Sequence, residues 1–153
     1  MKLRKICERV DPKVKLGLKK LGYHKNSSHE VGLMGGKKTM GIKDKVNIKF
    51  DPNDAAIKNE YMFHTHPTNK GENPLRSLPS EKDLQTAYEL YKDGMKGIVI
   101  RHGKYYTVIR PTDHAEKFNP ARYTKARKTG DFQAALDTLK PTYNIEHGSM
   151  DEV

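Results

Sequence analysis

Between Asp11 and Pro111 the chain alternates between helical and extended hydrophobic patterns. Asp11-Pro12 has the form of a helix start, with Asp11 as N-cap and Pro12 at the first helical position. Val14, Leu18 and Leu21 then recur at helical spacing, and Gly22 is a natural stop. The outer face of this segment is strongly basic. Asn26-Ser27-Ser28 reads as a turn, and Glu30-Val31-Gly32-Leu33-Met34-Gly35-Gly36 as a short buried strand ending in glycines. Lys45-Val46-Asn47-Ile48-Lys49-Phe50 alternates polar and apolar, as a half-exposed strand does. Asp51-Pro52-Asn53 breaks it, and Asp54 to Lys58 fits a brief helical turn.

Glu60-Tyr61-Met62-Phe63-His64-Thr65-His66 predicts a third strand, stopped by Pro67. Thr68 to Pro79 is rich in Gly, Pro, Asn and Ser and predicts loop. Ser80 starts a helix with an apolar stripe of Leu84, Ala87, Tyr88 and Tyr91, and Gly94 closes it. Lys96 to Ile100 is a strand, Arg101-His102-Gly103-Lys104 a turn, and Tyr105 to Ile109 the second strand of a hairpin. Past Pro111 the pattern changes: Pro120 to Lys128 and Asp131 to Leu139 look helical, and Glu146 to Val153 reads as a polar, frayed end. This order predicts an α/β or α+β domain around one sheet. Residues 1–112 form the main domain in this reading, and 113–153 a helical, partly basic C-terminal extension.

Composition narrows the class. At 153 residues the chain is one domain by length and can bury a core without disulfide staples. The single cysteine, Cys7, rules out an internal disulfide, so a stapled secreted fold is not expected. No apolar run reaches the ~18 residues that span a membrane. The basic start Met1-Lys2-Leu3-Arg4-Lys5-Ile6 lacks the apolar stretch of a signal peptide, so the expected setting is cytoplasmic. The net charge of +10 is unevenly placed: residues 1–49 hold 14 Lys and Arg against 4 acids, and the remaining 15 of each sign cancel. A basic segment of this kind can steer nucleic acid or an acidic partner, or be a solvated face. Few aromatics interleave with these lysines, which weakens the case for stacking on single strands. Arg122, Lys125, Arg127 and Lys128 form a second, smaller basic cluster.

The chemistry lies in the middle of the chain. His64 and His66 at i and i+2 on a strand project to one face, where both imidazoles can reach one metal ion. Ser80 and Asp83 have the spacing of a helix N-cap and an acid at N3, and capping alone explains that pair. An acid in the first helical turn can also complete a three-ligand site, the number zinc takes in hydrolytic centres with one position left for water. With no CxxC pair, any zinc site must use histidine and carboxylate, a donor set that also accepts other divalent ions. Glu30 opens an apolar strand, where an acid is out of place for packing, and is the candidate general base; an exposed strand-end carboxylate is the alternative. His24, His29, His102, His114 and His147 receive no role.

Glu30-Val31-Gly32-Leu33-Met34-Gly35, His64-Thr65-His66-Pro67 and Pro79-Ser80-x-x-Asp83, in this order, resemble the motif of the JAMM or MPN-plus (JAB) metalloproteases, over roughly residues 10–110. The resemblance implies a twisted mixed sheet flanked by helices, with the layering of cytidine deaminases. It implies one zinc ion on His64, His66 and Asp83, with a water in the fourth position. It assigns Glu30 as general base and Ser80 as hydrogen-bond donor to the developing oxyanion. The implied activity is cleavage of an isopeptide or peptide bond beside the C-terminal tail of ubiquitin or a ubiquitin-like protein. Prokaryotic and phage members include deconjugating enzymes and tail-assembly peptidases. A non-catalytic module of the same fold and a nucleic-acid-binding protein are the other readings. One departure stands out: residues 67–79 put 13 positions between the second histidine and Ser80, six more than the family's usual seven. Ser77 is a second candidate serine but lacks an acid three places on. The added loop, with Gly71, Asn73 and Pro74, reads as a flap over the substrate or as a surface insertion.

Overall fold

A computed structural model of the chain describes residues 10–22, 31–34, 37–40, 60–68 and 71–152. The first helix, α1 (Pro12–Leu21), begins as expected: the Asp11 carboxylate accepts a hydrogen bond from the Lys13 amide at 2.8 Å. Val14, Leu18 and Leu21 are fully buried, and Lys19 and Lys20 sit in the last turn, where positive charge suits the helix dipole. Among the described residues six strands follow: β1 (Val31–Met34), β2 (Lys37–Met40), β3 (Tyr61–Thr65), β4 (Gly97–His102), β5 (Tyr105–Pro111) and β6 (Tyr143–Ser149). They form one sheet in the order β2-β1-β3-β4-β5-β6. Only β3 and β4 are parallel, in register from Tyr61 opposite Gly97 to Thr65 opposite Arg101. The connection between them contains α2 (Glu81–Lys92), as a parallel crossover requires. The short helices α3 (Pro120–Lys128) and α4 (Phe132–Leu139) lie between β5 and β6.

The chain is therefore a mixed α+β domain, and alternation along the strands sorts its core into two clusters. Tyr61 and Phe63 of β3, Val99 of β4, and Tyr106 and Val108 of β5 pack with Val14, Leu18 and Leu21 of α1. Ile98 and Ile100 of β4 and Ile109 of β5 pack instead with Leu84, Ala87 and Leu90 of α2, Tyr123 of α3, and Ala135 and Leu139 of α4. Helices thus cover both faces, α1 on one and α2 to α4 on the other. Gly17 allows the first of these contacts: a Cβ built there would lie 2.0 Å from the Phe63 ring.

Three sequence expectations change. β2 is a strand that the pattern Lys37-Lys38-Thr39-Met40 does not announce. The turn expected over Arg101–Lys104 is shorter, because Arg101 and His102 are the buried end of β4. The polar end expected to fray contains most of β6, paired with β5 from Pro111 opposite Tyr143 to Tyr105 opposite Ser149. The same sheet therefore continues past the boundary drawn at residue 112. The strand expected at Lys45–Phe50 and the turn at Asp54–Lys58 lie outside the described residues. Among the described residues no helix is long and apolar enough to cross a membrane.

Candidate metal centre

His64 lies on β3, opposite Gly32 of β1 and Ile100 of β4. His66 follows the end of β3 and extends the parallel ladder by donating its amide to the Arg101 carbonyl at 2.9 Å. The i, i+2 spacing brings the rings to the same side, with Nε2 of His64 and Nε2 of His66 3.3 Å apart. Asp83 enters from α2. Its Oδ1 lies 3.2 Å from His64 Nε2, and its Oδ2 lies 3.0 Å from His66 Nε2. His64 is 3% exposed, whereas His66 and Asp83 are 15% and 18% exposed, so solvent reaches the cluster from the side of the latter two.

The capping reading of Ser80 and Asp83 also holds. Ser80 Oγ accepts from the Asp83 amide at 3.0 Å, and Asp83 Oδ2 accepts from the Ser80 amide at 2.9 Å. This reciprocal capping box fixes the carboxylate in the first turn of α2, with its oxygens toward the histidines. Burial pushes the Asp83 carboxyl up, but the His64 charge and hydrogen bond, with the His66 hydrogen bond, outweigh it. Together they hold it well below the usual carboxylate range. α3 buttresses the same point, where the buried Tyr123 hydroxyl donates to the Pro79 carbonyl at 2.6 Å. Thr124 also hydrogen-bonds the Glu81 carboxylate.

His66 has a second partner at its other ring nitrogen. Nδ1 lies 2.7 Å from the Arg76 carbonyl, which only accepts, so Nδ1 donates there and Nε2 is the ring atom that faces the cluster. His64 Nδ1 is buried with no hydrogen-bond partner among the described residues.

The donor atoms lie near the ligand spacing of a tetrahedral ion. Zinc–nitrogen bonds of about 2.0–2.1 Å place tetrahedral ligand atoms about 3.3–3.4 Å apart. The two Nε2 atoms are 3.3 Å apart, and each has one Asp83 oxygen, Oδ1 at 3.2 Å for His64 and Oδ2 at 3.0 Å for His66, which is close to that spacing. His64, His66 and Asp83 are the one group of this kind among the described residues, and could hold a metal ion.

Arg76 belongs to the loop between His66 and Ser80. The stretch 71–79 is tied to the sheet rather than free: the Asn73 amide donates to His102 Nε2 at 3.1 Å, and the Lys104 amide donates to Glu72 Oε1 at 3.1 Å. Ser77 is fully buried against β5, accepting from the Thr107 hydroxyl at 3.2 Å. This loop thus carries the carbonyl that orients His66. His102, given no role from the sequence, is a fully buried anchor for this loop, and burial lowers its pKa. Its position at the end of an apolar strand was the available signal. Nothing in the local sequence marks Thr107 or His147 as partners of Ser77. Glu30 lies outside the described residues; the next residue, Val31, donates its amide to Thr65 Oγ1 at 2.8 Å, between the two histidines in sequence. No protein-family model matches the chain, and neither a curated protein nor a solved structure matches it significantly.

Proposed function

We propose that the chain is a zinc-dependent hydrolase of the JAMM type that cleaves an isopeptide or peptide bond next to a ubiquitin-like protein. The observation that carries this reading is the convergence of His64 Nε2, His66 Nε2 and the Asp83 carboxylate at 3.0–3.3 Å, on a partly exposed face. His64, His66 and Asp83 would hold the ion. When bound, zinc supplies Lewis-acid polarisation of a carbonyl and makes water a stronger acid. Glu30 takes the proton from the attacking water and returns it to the leaving amine. The Ser80 hydroxyl already accepts from Asp83, and its own proton is available for the oxyanion. The partner is a protein, and a cytoplasmic setting suits a chain with one cysteine.

The test is cleavage by the full chain loaded with zinc. The substrates are ubiquitin-like proteins extended at the C-terminus either by a peptide or by a lysine isopeptide. Glu30→Gln should keep the metal and lose at least about a hundredfold in rate. Cleavage that survives Glu30→Gln removes that residue from the mechanism. Cleavage that survives loss of both histidines overturns the reading.

A further inference from the structure

A partly buried polar chain runs from the C-terminal strand to the loop that carries Arg76. His147 on β6 places Nδ1 3.0 Å from Thr107 Oγ1 on β5 and 3.4 Å from Ser77 Oγ. Thr107 Oγ1 lies 3.2 Å from Ser77 Oγ, and Ser77 Oγ lies 2.6 Å from the Pro74 carbonyl. Ser77 and Thr107 are both fully buried. The carbonyl fixes the direction of every proton. It can only accept, so the Ser77 hydroxyl donates to it. The Thr107 hydroxyl then donates to Ser77, and His147 must donate from Nδ1 to Thr107. The His147 ring is held in this pose by stacking on Tyr105 at 6.2 Å and by a tilted contact with Phe132 at 4.6 Å. Burial lowers the pKa of the imidazole.

Ser77 is the far side of the peptide whose carbonyl orients His66. The Arg76 carbonyl and the Ser77 amide share one rigid plane. The turn Pro74–Ser77 is closed by Arg76 N donating to the Asn73 carbonyl at 2.9 Å. Anchoring the Ser77 side chain therefore anchors the acceptor 2.7 Å from His66 Nδ1. A packing role alone would not call for three polar side chains in sequence, each oriented by the last.

We propose that His147, acting through Thr107 and Ser77, is a positioning residue for the metal centre. It fixes the Arg76 carbonyl and with it the aim of His66. This rests on the metal-site reading of His64, His66 and Asp83. In consequence the affinity of the centre depends on β6, whose His147 lies 81 residues beyond His66 in sequence.

The experiment uses the full chain with zinc in competition against a chromogenic chelator, and with cobalt(II) as a spectroscopic probe. Thr107→Val keeps the shape and removes the relay, His147→Leu removes the donor, and His147→Asn keeps a donor at the place of Nδ1. Thermal melting of the metal-free variants checks folding. Thr107→Val and His147→Leu should lose on the order of tenfold in zinc affinity and shift the cobalt absorption bands. His147→Asn should restore both. Folded variants with wild-type affinity and spectra overturn the proposal, as does His147→Asn behaving like His147→Leu. The ¹⁵N resonance of His66 Nδ1 in metal-free protein separates the two claims. Failure of the wild type to bind zinc defeats the metal reading, whereas an unmoved resonance in Thr107→Val defeats the positioning chain.

Discussion

Replacing Gly17 with alanine sets two effects of opposite sign against each other. Gly17 is interior to α1, where alanine is favoured by about 1 kcal/mol on helix propensity. The same methyl would fall 2.0, 2.3 and 2.4 Å from three carbons of the Phe63 ring. Ordinary carbon contacts are about 3.5–4.0 Å, so ring or helix must give by roughly 1.5 Å. Phe63 is 6% exposed and packs beside Tyr61 at a ring separation of 6.3 Å, so neither partner moves into open space. Overpacking on this scale costs about 2–3 kcal/mol, the upper part of the usual range. The net expectation is a destabilisation of about 1–2 kcal/mol, equivalent to a fall in Tm of roughly 3–8 °C. Urea unfolding followed by circular dichroism measures it. Phe63→Leu is the partner in a double-mutant cycle and should recover at least about 1 kcal/mol of the Gly17→Ala loss. A rise in midpoint for Gly17→Ala, or a coupling near zero, would refute the close approach of α1 to β3.

Other outcomes follow from the second face of the sheet. Tyr123→Phe leaves the Pro79 carbonyl without its buried donor and should cost about 1–3 kcal/mol by denaturant unfolding; a change under about 0.5 kcal/mol would mean that the hydrogen bond is not made. Ser80→Ala should cost about 1 kcal/mol in the metal-free protein through loss of the cap, and Ser80→Thr should recover most of it, both read by urea midpoint. His147 and His102 both have pKa values lowered by burial from an ordinary value of 6.5. The unfolded chain therefore binds more protons than the folded one just below that value. Stability is fully present above about pH 6.5 and declines as pH falls below it. Midpoints at pH 7.5 and 5.5 should show the decline, and His147→Asn should make it smaller; equal declines in both proteins would remove His147 from the effect.

What could be read from the sequence was governed by burial. α1 and α2 bury one stripe each, and β3, β4 and β5 are covered on both faces, so their apolar positions announce them. β2 and β6 are the two edges of the sheet, and edge strands are polar. In β6 only Tyr143 is fully buried, and Asn144-Ile145-Glu146-His147-Gly148 has no alternation to betray a strand whose main contribution is its backbone pairing with β5. Arg101 and His102 looked like a turn because both are polar, yet each has a built-in partner: Arg101 Nη1 donates to the Leu18 carbonyl at 2.8 Å, and His102 accepts from Asn73. The cluster of His64, His66 and Asp83 was legible because i, i+2 on a strand and N3 on a capped helix are local geometries. The supports from Arg76, Ser77, Thr107 and His147 were not, since they depend on which strands and loops meet.

Metal content of the purified full chain tests the central claim most directly. Protein prepared without chelator, saturated with zinc and passed through a desalting column, is analysed by plasma mass spectrometry beside the His64→Ala, His66→Ala double variant. The account predicts about one zinc per chain for the wild type and almost none for the variant, with both proteins folded. No retained zinc in the wild type, or the same content in both, would contradict it.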